Sequence, residues 1–255
     1  MGLVLDLYRP GRSWLHRLDP RVKLWGVALG LILAFLLPSA AAQALLLLAV
    51  LLLLRSNGIK WDALRWLWRQ IRFLFLLILC LQPFFTSAGE TLFALGPLRL
   101  TLGGATHALG LALRVLSMSF ITGGFLFTTE QRQLVRAFVR LGFPYPWGLT
   151  LSLTLRFLPA ISSLFGTVRE AQAARGWVAE GNIFRRAREY LPVLIAVTIG
   201  ALRMGDQLTL ALAARGLGTA AERTTWRDIE MRPADWRALV GMSAAFLVVA
   251  AVNAG

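Results

Sequence analysis

Five stretches of the chain, at about residues 22–37, 40–54, 73–85, 105–127 and 238–254, are apolar and almost free of charge. A helix that crosses a bilayer needs about 20 predominantly apolar residues. Several of these runs are shorter, so their flanks must contribute or the bilayer must thin locally. Only 16% of residues are charged and 57% are hydrophobic, with a mean hydropathy of +0.63. Soluble domains carry about 25% charged residues. The pattern is that of an integral membrane protein built from about five transmembrane helices. Pro38 and Ser39 separate the first two runs, which therefore read as a helical hairpin.

Twenty-seven Lys and Arg against thirteen Asp and Glu give a formal charge of +14. A soluble chain with that excess would point to nucleic acid, but here the basic residues are sorted by loop. Five precede the first run (Arg9, Arg12, Arg17, Arg21 and Lys23, the last at its edge), and none lies in the hairpin turn. Five more (Arg55, Lys60, Arg65, Arg69, Arg72) precede the third run, and only Arg99 lies between the third and fourth. Residues 129–237 carry fifteen, and none follows. Rich and poor loops alternate, and the positive-inside rule then places the N-terminus in the cytoplasm and the C-terminus outside. The excess is a topology signal, and no nucleic-acid partner is expected. Trp61, Trp66 and Trp68 beside the third run fit interfacial anchors.

Several chemistries are excluded. Cys80 has no second cysteine, and His16 and His107 are far apart, so neither a disulfide nor a zinc site of ordinary spacing is available. The two lysines, Lys23 and Lys60, do not follow a glycine, so no phosphate-cradling P-loop exists. Any ATP must be handled by another chain. No cofactor is expected. A membrane-embedded lipid-modifying enzyme would need paired carboxylates for Mg²⁺; the five runs contain none, and Asp228 with Glu230 is the one close acidic pair. A self-sufficient carrier would need ionisable groups near the midplane, and Arg114 stands almost alone there. Residues Ser39-Ala40-Ala41-Ala42-Gln43-Ala44 resemble a signal-peptide cleavage site. The preceding segment, with Asp6 and Asp19 ahead of the apolar run and a second run directly after, argues against cleavage.

Residues 129–237 are basic yet include two long apolar stretches, 147–165 and 191–213, interrupted by Arg156 and Arg203. They read as amphipathic helices facing the cytoplasm, and whether they dip into the bilayer stays open. Over 128–142, Thr128 with Gln131 fits a capping box, Leu134, Phe138 and Leu141 a single stripe, and Gly142 a helix stop. Gly26 and Gly30 form a GxxxG in the first run, more expected of bundle packing than of a dimer face. Arg114 is expected to pair structurally, and Arg185, Arg186 and Arg188 to form a headgroup- or partner-facing patch.

Two hexapeptides alike at five of six positions lie 40 residues apart, Ala171-Gln-Ala-Ala-Arg-Gly176 and Ala211-Leu-Ala-Ala-Arg-Gly216. A single copy would be an ordinary C-terminal helix cap, with Arg in the last turn and Gly at positive φ. Two copies with flanking alanines leave two planar five-donor guanidinium groups uncrowded. They suit a partner presenting two similar pockets, such as a pseudo-symmetric dimer.

The string His16-Arg-Leu-Asp-Pro-Arg-Val-Lys-Leu24 resembles the N-terminal signature of the transmembrane T component of energy-coupling factor transporters. The likeness continues through Leu95-Gly-Pro-Leu-Arg-Leu-Thr101, Ser152-Leu-Thr-Leu-Arg-Phe-Leu-Pro159, Ala201-Leu-Arg-Met-Gly-Asp-Gln207 and both Ala-Arg-Gly motifs, in order over nearly the whole chain. The cobalt, nickel and biotin importers have close versions. The resemblance implies a subunit without chemistry of its own. Its cytoplasmic coupling helices would dock into two ABC-type ATPases through Ala174, Arg175, Gly176, Ala214, Arg215 and Gly216. Its membrane domain would hold a substrate-binding S component for a vitamin or metal ion. The expected organisation is a four-helix membrane domain over 1–128, a coupling region over 129–237 and a final span over 238–255.

Overall fold

The computed structural model describes residues 8–11, 13–85, 91–95, 98–177, 188–217 and 231–254. Arg185, Arg186, Asp228 and Glu230 lie outside them. The described residues divide between two compact units, one within Asp6–Leu141 and Ile229–Gly255, the other within Gly142–Asp228.

The first unit is a helical bundle. A short α1 (Trp14–Arg17) leads into the hairpin of α2 (Pro20–Leu36) and α3 (Ala40–Ser56). Pro38 and Ser39 make the turn, and the Ser39 hydroxyl accepts from the Ala42 amide at 3.2 Å, capping α3. The hairpin is locked from inside. Gln43 is fully buried, and its amide nitrogen donates to the Ala34 and Leu37 carbonyls at 2.6 and 2.9 Å. These carbonyls end α2, where no intrahelical donor remains for them. Arg114 donates to the same Leu37 carbonyl at 3.0 Å, and its guanidinium lies 5.8 Å from the Phe35 ring centroid. The expected structural pairing of Arg114 is therefore with a helix terminus.

The third apolar run belongs to a longer helix than its hydropathy suggests. Residues 61–72, which read as a basic loop, are the first half of α4 (Trp61–Phe85). Ala63 and Leu64 are buried, with Leu67, Ile71 and Phe75 packed on the same core, while Arg65, Arg69 and Arg72 are exposed. The charges occupy one side of a continuous amphipathic helix, which averaging over loops conceals. A two-stranded antiparallel hairpin follows, β1 (Thr91–Leu95) and β2 (Leu98–Thr101), with Leu95 opposite Leu98 and a bulge between Thr91 and Phe93. Gly96 and Pro97, between the two strands in sequence, lie outside the described set. Thr101 caps α5 (Leu102–Thr128), accepting from the Gly104 amide at 3.0 Å.

The core unites α3, α4 and α5 through Leu54, Ile59, Ala63, Leu64, Leu116, Phe120 and Phe127. Glycine permits this closeness. A Cβ at Gly123 would lie 2.6 Å from Leu67 Cδ2, and one at Gly124 would overlap the Leu54 side chain. The GxxxG glycines serve the same end inside the chain: Gly26 faces Met242 and Gly30 faces Ile121. Next comes α6 (Gln131–Arg140), which ends at Gly142 with φ +107°. Its start corrects the capping-box expectation. Thr128 belongs to α5, its hydroxyl donating back to the Gly124 carbonyl at 2.9 Å, and Glu130 is the N-cap residue, whose side chain makes no capping bond. The buried positions are Val135 and Ala137, whereas Leu141 is exposed, because packing against α2 sets the face. The last helix, α9 (Pro233–Ala254), packs on α2 through Leu18, Val22, Ala238 and Met242.

The second unit contains α7 (Tyr145–Ala174), 30 residues long with Pro159 inside it, and α8 (Leu191–Ala214), of 24 residues. Among the described residues four helical segments can cross a membrane by length and composition: Gly103–Thr128, Tyr145–Ala174, Leu191–Ala214 and Pro233–Ala251; Ala40–Ser56 is apolar but shorter. The protein is an all-α multi-pass membrane protein, with one small β-hairpin among the described residues.

Candidate functional site

Two places gather the residues singled out in the sequence. The first is the N-terminal signature. Asp19 accepts from the Arg21 amide at 2.8 Å and Pro20 opens α2, an N-cap followed by the residue best suited to the first helical position. Lys23 is buried, and its ammonium donates to the Thr128 carbonyl at 2.9 Å and to the His16 carbonyl at 3.3 Å. A cation at the C-terminus of α5 complements the negative end of that helix dipole. Asp235 completes the knot. Its two carboxylate oxygens accept from the Asp19 amide at 2.9 Å and from the Arg232 amide at 2.8 Å. The string therefore joins the ends of α1, α2, α5 and α9. No motif in the sequence marked Asp235, whose partner is 216 residues away.

His16 belongs to this knot. Ser13 Oγ lies 2.6 Å from its Nδ1, and the Arg9 carbonyl 3.1 Å from its Nε2. The arrangement fits a neutral imidazole that accepts from Ser13 and donates to Arg9. Burial pushes its pKa below the ordinary 6.5, aided by the Lys23 charge and opposed by the Arg9 carbonyl. Below 6.5 the unfolded chain takes up a proton that the native imidazole resists, so this contribution to stability is present above 6.5 and lost as pH falls. Melting curves of the detergent-solubilised protein should show a midpoint that falls with pH below that value. The slope should be shallower in His16→Gln.

The second place is the α7–α8 pair. A Cβ on Gly200 would sit 2.8 Å from Leu164 Cδ2, so the helices touch closely there. Toward one end the Trp177 ring stacks edge-on against Tyr190 at 4.9 Å, and its indole N–H donates to the Glu189 carbonyl at 2.8 Å. Toward the other, Thr150 and Leu153 of α7 line the same groove as Leu208 of α8. The pair is thus antiparallel. Between the helices runs a groove of about 320 Å³, lined from α7 by residues such as Thr154, Phe157 and Leu158, and from α8 by Ala201, Met204 and Gly205. Two of the family-like strings, 152–159 and 201–207, face each other across it. The hydroxyls of Thr150 and Thr154 donate to carbonyls of their own helix, so the groove walls are largely apolar in character.

Both Ala-Arg-Gly motifs adopt one backbone structure. At the first, the Arg175, Gly176 and Trp177 amides donate to the carbonyls of Gln172, Ala173 and Gln172 at 3.0 Å each. At the second, the Arg215, Gly216 and Leu217 amides donate to those of Leu212, Ala213 and Leu212 at 3.1, 2.9 and 2.9 Å. Gly176 has φ +87° and Gly216 φ +75°, the left-handed region where a side chain is penalised. These are paired Schellman-type caps, so the ordinary cap reading holds for both copies. The caps also aim something outward. Arg175 and Arg215 are exposed, as are Ala174 and Ala214, and neither guanidinium forms a hydrogen bond or ion pair among the described residues. The antiparallel packing puts the two arginines at opposite ends of the pair. α8 alone, with 24 residues, separates its ends by about 36 Å. Arg156 and Arg203 are exposed on α7 and α8. Among the described residues no group of three or more His, Cys, Asp or Glu is placed to hold a metal ion.

Comparison with known proteins agrees with the sequence resemblance. The family model described as cobalt transport protein, CbiQ, matches residues 11–226. A curated protein of Streptococcus equi subsp. equi, an energy-coupling factor transporter transmembrane protein, is 31% identical over 93% of this chain and 92% of its own length. One of the same description from Listeria innocua is 30% identical over 94% of each chain. A third, from Acidaminococcus fermentans, is 28% identical over 99% of this chain and 97% of its own. The chain belongs to the CbiQ family of cobalt transport proteins and is a transmembrane component of an energy-coupling factor transporter.

Proposed function

We propose that the chain is the non-enzymatic coupling subunit of an importer, linking ATP hydrolysis by two partner ABC-type ATPases to movement of a membrane-embedded S component. The observation that carries this reading is the pair of like-built Ala-Arg-Gly caps at opposite ends of one antiparallel helix pair. Two identical anchors some 35 Å apart suit two copies of one groove on a two-fold-related ATPase pair. Each arginine supplies a charge-assisted fork to its groove. Closure of the ATPases on ATP would then move both ends of α7 and α8, and a packed helix pair can transmit such a shift.

The surface of the pair supports a second partner. None of the apolar window of α7 and 6% of that of α8 is buried by the chain itself. Trp147, Leu194, Leu202 and Leu210 are exposed. So much uncovered apolar area needs bilayer or another membrane protein against it, which fits an S component. Residues 129–237 form the coupling region in this reading, between a membrane domain of residues 1–128 and a final span over 238–255. The N-terminus is cytoplasmic and the C-terminus outside. The S component sets the substrate, a vitamin or a metal ion. Copurification tests the reading: tagged chain from gently solubilised membranes should bring down two ATPase copies. Isolation as a lone, transport-competent carrier would overturn it.

A further inference from the structure

A second cavity lies in the bundle unit. It measures about 640 Å³ and opens between the N-terminal arm, the loop after α3 and the end of α5. Its polar lining is Arg9, Ser13, His16, Ser56, Asn57 and Lys60, with no acidic residue among the described residues of its wall.

The uncharged groups are already engaged. Asn57 donates to the Leu53 carbonyl at 2.7 Å and accepts from the Leu15 amide at 3.1 Å, and Ser56 donates to the Leu53 carbonyl at 3.0 Å. Both ring nitrogens of His16 are matched, to Ser13 and to the Arg9 carbonyl. What remains is cationic. The Arg9 guanidinium is held 5.7 Å from the Phe127 ring centroid, and neither it nor the exposed Lys60 ammonium has an acidic partner among the described residues. Two cations without an acidic partner among the described residues, in a pocket of ligand size, call for an anion with several oxygens. Pro10, Ile59 and Phe127 add an apolar wall. Exposed Trp14 and Trp61 directly adjoin the lining residues Ser13 and Lys60, the arrangement of a belt at headgroup depth.

We propose that this cavity binds the phosphate-bearing headgroup of an anionic phospholipid, with Arg9 and Lys60 on the phosphate and Phe127 and Ile59 against the glycerol end. Lipids of the adjoining leaflet reach the pocket without leaving the membrane, which favours them over free phosphate as the source.

Native mass spectrometry of the purified chain, equilibrated with equal amounts of phosphatidylglycerol and phosphatidylcholine, tests this. The wild type should retain one phosphatidylglycerol as detergent is stripped. The doubly neutral variant Arg9→Gln, Lys60→Gln should lose at least about tenfold of that retention, while Arg9→Lys, Lys60→Arg should keep most of it. The charge-conserving pair separates lost binding from lost fold. Equal retention by the neutral variant, equal retention of phosphatidylcholine, or displacement of the lipid by inorganic phosphate alone would each overturn the proposal.

Discussion

Replacing Arg175 and Arg215 together with alanine is expected to abolish ATP-driven uptake while leaving membrane insertion and melting behaviour near wild type. Neither side chain supports the fold. Both are exposed, and the caps they occupy are held by backbone bonds and by Gly176 and Gly216, which the substitution leaves intact. The loss falls on the partner. Truncating one member of a buried charged pair at an interface costs about 2–5 kcal/mol, roughly one and a half to four powers of ten in affinity. Either single variant should retain residual coupling through the remaining end. Lysine at both positions keeps the charge but not the planar fork, and should restore uptake only in part. Reconstituted uptake beside ATPase copurification separates loss of docking from loss of motion.

Asp235→Ala should be the most destabilising single change in the bundle. Asp235 is 3% exposed and receives two backbone amides, of Asp19 and Arg232. At the third position of α9 it reaches back to the amide preceding the helix, as in half a capping box. Alanine would strand both donors, at about 1–3 kcal/mol each where water cannot replace the acceptor. The start of α9 would then loosen from α2, exposing the Leu18–Val22–Ala238 contact. A melting midpoint several degrees lower, with aggregation on mild heating, is the expected result. Asp235→Asn keeps one acceptor oxygen and should lose about half as much. A midpoint unchanged in Asp235→Ala would mean that the knot contributes little.

What was legible in the sequence was local or periodic. Pro38 and Ser39 fixed the α2–α3 hairpin because a proline and an N-cap serine act on the backbone next to them. The Ala-Arg-Gly repeats announced two helix ends for the same reason, since glycine adopts φ near +80° there without the penalty a side chain brings. The groove was also within reach. Thr150, Leu153, Thr154, Phe157, Leu158 and Ile161 recur at three- and four-residue steps, as do Ala201, Met204, Gly205 and Leu208. That the two stripes face each other depends on chain reversal between them, which no local signal encodes.

The first half of α4 was obscured for a different reason. Arg65, Arg69 and Arg72 lowered the mean hydropathy, although Ala63, Leu64, Leu67 and Ile71 kept a helical face beneath them. The capping box at Thr128 failed because α5 continues through that residue and its hydroxyl returns to the Gly124 carbonyl. Asp235 escaped notice because a carboxylate at a helix start looks like any dipole partner until the distant Asp19 amide is placed against it.

Site-directed cross-linking from the two caps reports most directly on coupling. Ala171→Cys and Ala211→Cys, exposed positions one turn before the two arginines, each in a Cys80→Ser background, would be reacted with a short bifunctional reagent in native membranes. Each position is expected to capture one ATPase copy. The double variant should join two copies to one chain, with ATP altering the yield at both ends. Cross-links to a single copy from both positions, or none to an ATPase from either, would contradict the coupling role.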